Sequence, residues 1–207
     1  MEDFWKLRKG IIHDDLGFQY SADWYANKYH RNPLEEQMTD PGPGQYKERD
    51  MELINIMGIK NGDSILIPGC GKANNVSLLK SMYKELRITG IDWSETAIRF
   101  CRHVFPEFVF MQYGIADLTL PNESFDHVLA IDFTEHLSLA DYVAFLAKCC
   151  HILRSGGMLG ILPGLSVRPE HINLIYPPTI AQHVEQHGFE IVAIGPQWFV
   201  GRKPRNL

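Results

Sequence analysis

Two apolar runs, separated by a glycine turn and a helical segment, constrain the fold of this chain most. The first run (residues 64–68, Ser-Ile-Leu-Ile-Pro) leads into the turn Gly69-Cys70-Gly71, and the second (residues 87–91) ends at Asp92. Glycine lets a backbone turn tightly and approach a ligand closely. The order strand, glycine turn, helix, strand and acid is typical of the nucleotide-binding half of a parallel α/β sheet. Because the terminal acid can accept hydrogen bonds from both ribose hydroxyls, the sequence predicts an adenosine-type cofactor.

Apolar strands and amphipathic helices alternate along the rest of the chain. The predicted strands are residues 64–68, 87–91, 108–113, 125–131, 158–162, 190–194 and 198–201. The predicted helices are residues 46–57, 74–83, 95–104, 139–153 and 178–187, with a turn at residues 154–157. This alternation indicates a parallel sheet covered on both faces, and the last two strands predict a hairpin. The expected fold is a Rossmann-like, doubly wound α/β fold: a mostly parallel seven-stranded sheet with an antiparallel edge strand.

The first 45 residues differ from the remainder. They are rich in Trp, Tyr and His and end in a Pro-Gly-Pro-Gly cluster at residues 41–44, which predicts a loop. We therefore predict a helical segment, residues 1–45, made of short helices and turns that lie over a main domain of residues 46–207.

Composition narrows the class of protein. A length of 207 residues fits one domain with a short appendage. A net charge of −5 disfavours a general nucleic-acid binder, and no apolar run reaches the roughly 20 residues that span a bilayer. The cysteines form no Cys-x-x-Cys pair, and the N-terminus lacks the pattern of a secretory signal. We expect reduced thiols and a cytoplasmic protein; the sequence leaves its oligomeric state open.

The third glycine of a dinucleotide fingerprint is absent, since Asn74 stands in its place. Instead, the order of motifs resembles the class I S-adenosylmethionine-dependent methyltransferases over residues from about 46 to 203. The five segments that carry the resemblance are residues 65–73, 90–94, 116–126, 132–136 and 153–157. The Pro-Gly-Cys-Gly turn at residues 68–71 is similar to that of thiopurine-type and related small-molecule members.

The resemblance implies S-adenosylmethionine as the cofactor and a set of residues that bind it. These are Pro68, Gly69, Cys70 and Gly71 beside the methionine portion, Asp92 at the ribose, Trp93, Asp117 and Leu118 around the adenine, and Asp132 near the sulfonium. Trp93 could instead pack in the core, and Asp117 could only cap a turn. Cys70 is expected to be a small turn residue and not a nucleophile, since no base lies next to it in the sequence.

One position departs from the family pattern. The family usually carries an acid two residues before the first glycine of the turn, where this chain has Ile67. That acid normally helps to hold the amino group of the cofactor. We therefore expect a backbone carbonyl or Asp132 to make this contact, or the contact to be weaker.

The segment Asp132-Phe-Thr-Glu135-His136 allows two interpretations. Some metal-dependent members carry a similar acid-x-x-Glu-His motif and could bind a divalent cation with a further histidine, here His171. Alternatively, Glu135 and His136 only form hydrogen bonds at a loop-to-helix junction. We favour the second interpretation and predict no metal.

Methyl transfer to an O, N or S atom of a small molecule is the function that the resemblance implies. Extra N-terminal helices often form a lid over the acceptor pocket in this family, which implies an N-terminal helical lid at residues 1–45, although the aromatic residues there could also be simple packing. The residues expected at the acceptor are Tyr20, Trp24, Tyr25, His30 and His171. His136 and Asp132 are the expected catalytic residues, with His136 or His30 as the base for a hydroxyl acceptor. Three alternatives remain: a protein or RNA methyltransferase, a dehydrogenase, which the missing Tyr-x-x-x-Lys disfavours, and a non-catalytic cofactor-binding or partner protein.

Overall fold

A seven-stranded sheet forms the centre of the molecule in the computed structural model, which describes residues 39–44, 47–115, 119–168 and 171–205. The strands are β1 Ser64–Pro68, β2 Arg87–Asp92, β3 Val109–Gln112, β4 Phe125–Ile131, β5 Leu153–Leu162, β6 Glu190–Ile194 and β7 Phe199–Arg202. The helices are α1 Lys47–Met57, α2 Asn74–Met82, α3 Glu95–Val104, α4 Leu139–Ile152 and α5 Pro177–Gln186, with a 3₁₀ helix at Thr134–His136.

The strand order β3-β2-β1-β4-β5-β7-β6 confirms the predicted fold class. Strands β1 to β5 are parallel to one another, and β7 is antiparallel to both of its neighbours, β5 and β6. The chain reverses its direction of travel across the sheet between β1 and β4. In open α/β sheets, ligands bind at such a switch point, beyond the carboxyl ends of the strands.

Two hydrophobic clusters cover the two faces of the sheet. Ile65 and Ile67 of β1 lie in the cluster that packs against α1, α2 and α3. Leu66, between them, lies in the cluster that packs against α4 and α5. Successive side chains of a strand point to opposite faces, so a strand segment with both faces covered is apolar at consecutive positions, as residues 65–67 of β1 are.

The predicted turn at residues 154–157 is wrong, because β5 already begins at Leu153. Leu153 pairs with Phe125, and the register then shifts before Met158 pairs with His127. Gly156, with a φ of 80°, donates its backbone N–H to the Lys203 carbonyl at 2.9 Å. The two glycines that suggested a turn form an irregular start to the strand.

Apart from this earlier start of β5, the predicted helices and strands are confirmed to within two residues at either end. Residues 41–44 contain neither helix nor strand, as predicted for a loop. The remainder of the predicted lid, residues 1–38 and 45, lies outside the described residues. Among the helices that the structure describes, none is long and apolar enough to cross a bilayer.

Candidate functional site

The glycine turn after β1 contacts the segment that follows β4. Gly69 and Gly71 have φ values of 63° and 49°, in the left-handed region that favours glycine. A Cβ atom on Gly69 would lie 2.5 Å from Cδ2 of Phe133. The turn therefore needs glycine both for its backbone conformation and for the close packing of Phe133.

Asp92, at the carboxyl end of β2, fixes the same turn. Its Oδ2 accepts a hydrogen bond from the Gly71 N–H at 2.9 Å, and its Oδ1 accepts one from the Ser94 N–H at 2.8 Å. A carboxylate oxygen has two lone pairs, so Asp92 retains acceptor capacity for ligand hydroxyls. This arrangement agrees with the role expected from the sequence.

Ile67 is part of the hydrophobic core. Its side chain is buried in the same cluster as Ile65 and Leu129. An ionised carboxylate at this position would be surrounded by apolar groups, which is costly without a partner. The apolar residue is thus explained by packing.

An ion pair joins α1 to the end of β4. Arg49 donates from its two terminal nitrogens to the two carboxylate oxygens of Asp132, at 3.1 and 2.8 Å. Its Nε also donates to Oδ1 of Asp50, at 2.9 Å. Burial alone would lower the pKa of Arg49, but Asp132 and Asp50 outweigh that effect and raise it. Sequence reasoning found Asp132 and missed Arg49.

Asn74, the residue that replaces the third glycine, holds a loop in place. Its Nδ2 donates to the Gly42 carbonyl at 3.0 Å. This bond brings residues 39–44 to the first turn of α2, directly after the glycine turn. Asn74, whose presence argued against a dinucleotide site, therefore has a structural role.

Cys70 is a buried turn residue, as predicted. Its hydrogen bond with Cys101, together with burial, raises the pKa of the Cys70 thiol well above its usual range. The Sγ atom of Cys101 in turn lies 3.2 Å from the Gly71 carbonyl, to which it donates. A thiol held in its protonated form is a poor nucleophile. All four cysteines of the chain are free thiols.

A cluster of three side chains lies at the 3₁₀ helix after β4, where Glu135 and His136 meet His171. One ligand atom from each lies within 4.8 Å of the other two. Glu135 is 0% exposed, and burial, followed by the charge of Asp132, raises its pKa to about 8. The rings of His136 and His171 have centroids 4.9 Å apart. Asp132 is not a member of this cluster, because its carboxylate faces Arg49.

The remaining predicted site residues divide into two groups. Trp93 is 52% exposed beside Asp92, so its side chain is accessible to a ligand. Pro68 is the last residue of β1 and is buried. Six residues lie outside the described part of the chain and stay predictions: Tyr20, Trp24, Tyr25, His30, Asp117 and Leu118.

Residues 65–157 match a protein family described as a methyltransferase domain. A probable S-adenosylmethionine-dependent methyltransferase of Mycolicibacterium smegmatis is 24% identical over 77% of this chain and 66% of its own length. A fatty-acid O-methyltransferase of the same species is 33% identical over 46% of this chain and 35% of its own length. A trans-aconitate 2-methyltransferase of Escherichia coli is 28% identical over 59% of this chain and 48% of its own length.

Solved structures share the fold. A SAM-dependent methyltransferase from Archaeoglobus fulgidus has a TM-score of 0.62 at 19% identity and covers 77% of this chain and 95% of its own. The [4+2]-cyclase SpnF has a TM-score of 0.71 at 14% identity and covers 92% of this chain and 97% of its own.

This chain spans two thirds or less of the length of the three curated relatives. The match over residues 65–157 nevertheless contains the glycine turn, Asp92, Asp132 and Glu135. Over these residues the chain is similar to a methyltransferase domain and to S-adenosylmethionine-dependent methyltransferases, and this similarity supports S-adenosylmethionine as the cofactor.

Proposed function

We propose that this chain is an S-adenosylmethionine-dependent methyltransferase that acts on a small molecule. One observation carries the proposal: the glycine turn, Asp92 and the Arg49–Asp132 pair all lie where the carboxyl ends of β1, β2 and β4 meet. This is the ligand-binding edge of an open α/β sheet. The groups there match the chemistry of the cofactor along its whole length.

The nucleoside half of the cofactor fits the β2 end of the site. Asp92 already orders the turn through Gly71 and has further lone pairs for the ribose hydroxyls. Trp93 offers an exposed aromatic surface next to it, on which an adenine ring can pack.

The amino-acid half is a zwitterion, and the Arg49–Asp132 pair has the complementary charges. A guanidinium binds a carboxylate through paired hydrogen bonds, and a carboxylate accepts from an ammonium. On binding, Arg49 would take the cofactor's carboxylate and Asp132 its ammonium. This assignment replaces the acid that the family usually carries at the position of Ile67.

The methyl acceptor is less well defined than the cofactor. The relatives include a fatty-acid O-methyltransferase and a trans-aconitate 2-methyltransferase, which supports a small molecule and leaves the accepting atom open. The cofactor supplies an activated methyl group, and the protein aligns the acceptor and excludes water. For a hydroxyl acceptor in a metal-free site, His136, next to buried Glu135, is the described residue that we assign as the base; with a metal ion bound, the same ring would be a ligand and not the base.

Binding of truncated ligands tests the assignment of Arg49. S-adenosylhomocysteine carries the amino-acid portion, whereas 5′-methylthioadenosine lacks it. Because charge-assisted hydrogen bonds contribute about 1.5–3 kcal/mol, we expect Arg49→Gln to weaken S-adenosylhomocysteine binding roughly 10- to 100-fold and to leave methylthioadenosine binding unchanged. Isothermal titration calorimetry measures both affinities.

Arg87→Gln is the matched control, because Arg87 begins β2 at the opposite end of the strand and its side chain is 66% exposed. It should change neither affinity. Equal losses for both ligands in Arg49→Gln would show that Arg49 acts only through the fold, and would contradict its assignment to the cofactor's carboxylate.

The acceptor class is tested with cofactor labelled in the methyl group. We expect label to enter the small-molecule fraction of a cell extract. Label found only in protein or RNA would reject the small-molecule proposal in favour of a macromolecular acceptor. Tight S-adenosylhomocysteine binding with no transfer to any fraction would favour a non-catalytic cofactor-binding protein.

A further inference from the structure

We propose that Glu135, His136 and His171 bind one divalent transition-metal ion, with two imidazoles and one carboxylate as its protein ligands. The site lies at the 3₁₀ helix that follows β4, at the same edge of the sheet as the glycine turn. Any use of the ion in orienting oxygen atoms of an acceptor rests on the proposed function; the binding site itself does not.

The three side chains already face one another. One ligand atom from each lies within 4.8 Å of the other two, and the His136 Nε2 and Glu135 Oε1 atoms are 3.7 Å apart. Zinc binds nitrogen and oxygen at about 2.0–2.2 Å, which places neighbouring ligand atoms roughly 3.0–3.5 Å apart. Small side-chain rotations would therefore bring the three ligands to bonding distance from one ion.

The carboxylate of Glu135 supplies a second, independent observation. The residue is 0% exposed, and among the described residues no side chain donates a hydrogen bond to either of its oxygens; the backbone N–H groups of Glu135 and Gly164 are their polar neighbours. A buried polar group without such a partner is costly and calls for an explanation. A bound cation would satisfy both its charge and its lone pairs.

Backbone contacts hold the ligands as they do in known metal sites. The ring Nδ1 of His171 lies 2.8 Å from the Ser166 carbonyl. Because a carbonyl only accepts, Nδ1 carries the proton and Nε2 is the ligating atom of the neutral ring. A backbone carbonyl bonded to the second nitrogen is a common way to orient a metal-binding histidine.

Gly164 and Asn173 bring the loop after β5 to the 3₁₀ helix. A Cβ atom on Gly164 would lie 3.0 Å from Cε1 of His171 and would overlap Oε1 of Glu135. The Asn173 N–H donates to the Glu135 carbonyl at 3.0 Å. The loop is thus fixed against Glu135 by its backbone, and the absence of a side chain at Gly164 gives the two ligands room to meet.

The ligand set favours one class of ion. Imidazole suits zinc, copper, iron and nickel, whereas magnesium and calcium prefer oxygen ligands. Asp132, which the sequence placed in the cluster, is paired with Arg49 instead. Three protein ligands leave coordination positions for water or for an oxygen-bearing molecule, as in catalytic zinc sites.

Direct titration of the EDTA-treated protein tests the proposal without reference to activity. Co²⁺ is followed by its visible absorption and Zn²⁺ by calorimetry. We expect one equivalent per chain, no displacement by Mg²⁺, and at least about a tenfold loss of affinity in Glu135→Gln and in His171→Asn. His151→Asn, which removes an exposed histidine of α4, is the control and should bind like the wild type.

Two outcomes would overturn the site: no saturable binding of either ion to the wild type, or wild-type affinity in both ligand variants. Circular dichroism checks that each variant is folded, and His171→Asn carries the test if Glu135→Gln is not. S-adenosylhomocysteine binding measured in EDTA separates this proposal from the proposed function, because cofactor affinity there does not depend on the ion.

Discussion

At the scale of single residues, the candidate site is built from groups that also hold the protein together. Asp92 fixes the glycine turn through the Gly71 N–H and keeps acceptor capacity for the cofactor. Asp132 stands in a left-handed backbone conformation, with a φ of 48°, at the point where it meets Arg49. Backbone strain of this kind is found where a functional arrangement demands it.

A comparison of substitutions at Gly69 and Gly58 distinguishes the effect of backbone strain from that of steric overlap. Both have a φ near 63°, but a Cβ atom would meet Phe133 only at Gly69 and would meet nothing within 4 Å at Gly58. We expect Gly58→Ala to lower the free energy of unfolding by about 1–2 kcal/mol. Gly69→Ala should lower it by about 1–3 kcal/mol more and should also weaken S-adenosylhomocysteine binding. Urea unfolding and calorimetry measure the two effects.

A double variant tests the steric part of this loss in the free energy of unfolding. Replacing Phe133 by Ala in the Gly69→Ala variant should recover part of the added loss, because the ring that the new Cβ meets is gone. If Gly69→Ala and Gly58→Ala were equally stable, the packing of Phe133 on the turn would have no energetic weight.

The site residues that can be predicted from the sequence are those whose partners lie close to them along the chain. Gly69, Gly71 and Asp92 follow from a motif that spans one strand-helix-strand unit. Arg49 contacts a carboxylate 83 residues further along the chain, and Asn74 contacts a carbonyl 32 residues back. No spacing rule predicts such pairs, because the topology of the sheet creates them.

At the scale of elements, the strands were predictable because the sheet is covered on both faces. Apolar runs such as residues 65–67 of β1 and 128–131 of β4 have few other interpretations between turn signals. The start of β5 was not predictable: Gly156 and Gly157 indicate a turn locally, and only pairing with Phe125 and Lys203 makes this segment part of the sheet. All three members of the Glu135 cluster were named from the sequence, Glu135 and His136 by the motif and His171 as the further histidine; the fold brings them together and leaves Asp132 out.

Asp126 joins three strands at their amino-terminal ends. Its carboxylate accepts from the N–H and hydroxyl of Ser64, on β1, at 2.8 and 2.7 Å, and from Arg154, on β5, at 2.6 Å. Burial alone would raise the pKa of Asp126, but Arg154 and Ser64 outweigh it and lower the pKa to about 2. The network therefore stabilises the ionised form.

The stability that this network contributes should disappear in acid. Because the folded-state pKa lies below the ordinary value of 3.8, the contribution is complete above about pH 4 and is lost as the pH falls towards 2. We expect Asp126→Asn to be less stable than the wild type at pH 7, and the difference to shrink between pH 4 and pH 2. Chemical unfolding across this range measures it.

Glu85→Gln is the control for this experiment, because it removes an exposed carboxylate from the turn before β2. It should show no comparable change with pH. A gap between Asp126→Asn and the wild type that stays constant down to pH 2 would mean that Asp126 acts through packing and not through its charge.

At the scale of the whole molecule, the amino ends and the carboxyl ends of the strands carry different groups. The Asp126 network ties the amino ends of β1, β4 and β5 together, and the ligand-facing groups gather at the carboxyl ends. The described residues contain the candidate cofactor edge from Arg49 to Asp132. They contain few of the residues expected at the acceptor, most of which belong to residues 1–45.

This division predicts that cofactor binding and transfer can be separated by substitution. If the N-terminal segment walls the acceptor, Trp24→Ala and Tyr25→Ala should reduce methyl transfer to the small-molecule fraction while the Kd for S-adenosylhomocysteine stays unchanged. Trp93→Ala should show the converse, a weaker Kd, because its exposed ring adjoins Asp92. Labelled transfer and calorimetry on the same preparations distinguish the two effects. If Trp24→Ala and Tyr25→Ala weakened cofactor binding as much as Trp93→Ala does, the segment would belong to the cofactor site, and the acceptor would have to be recognised by the loop that carries His171.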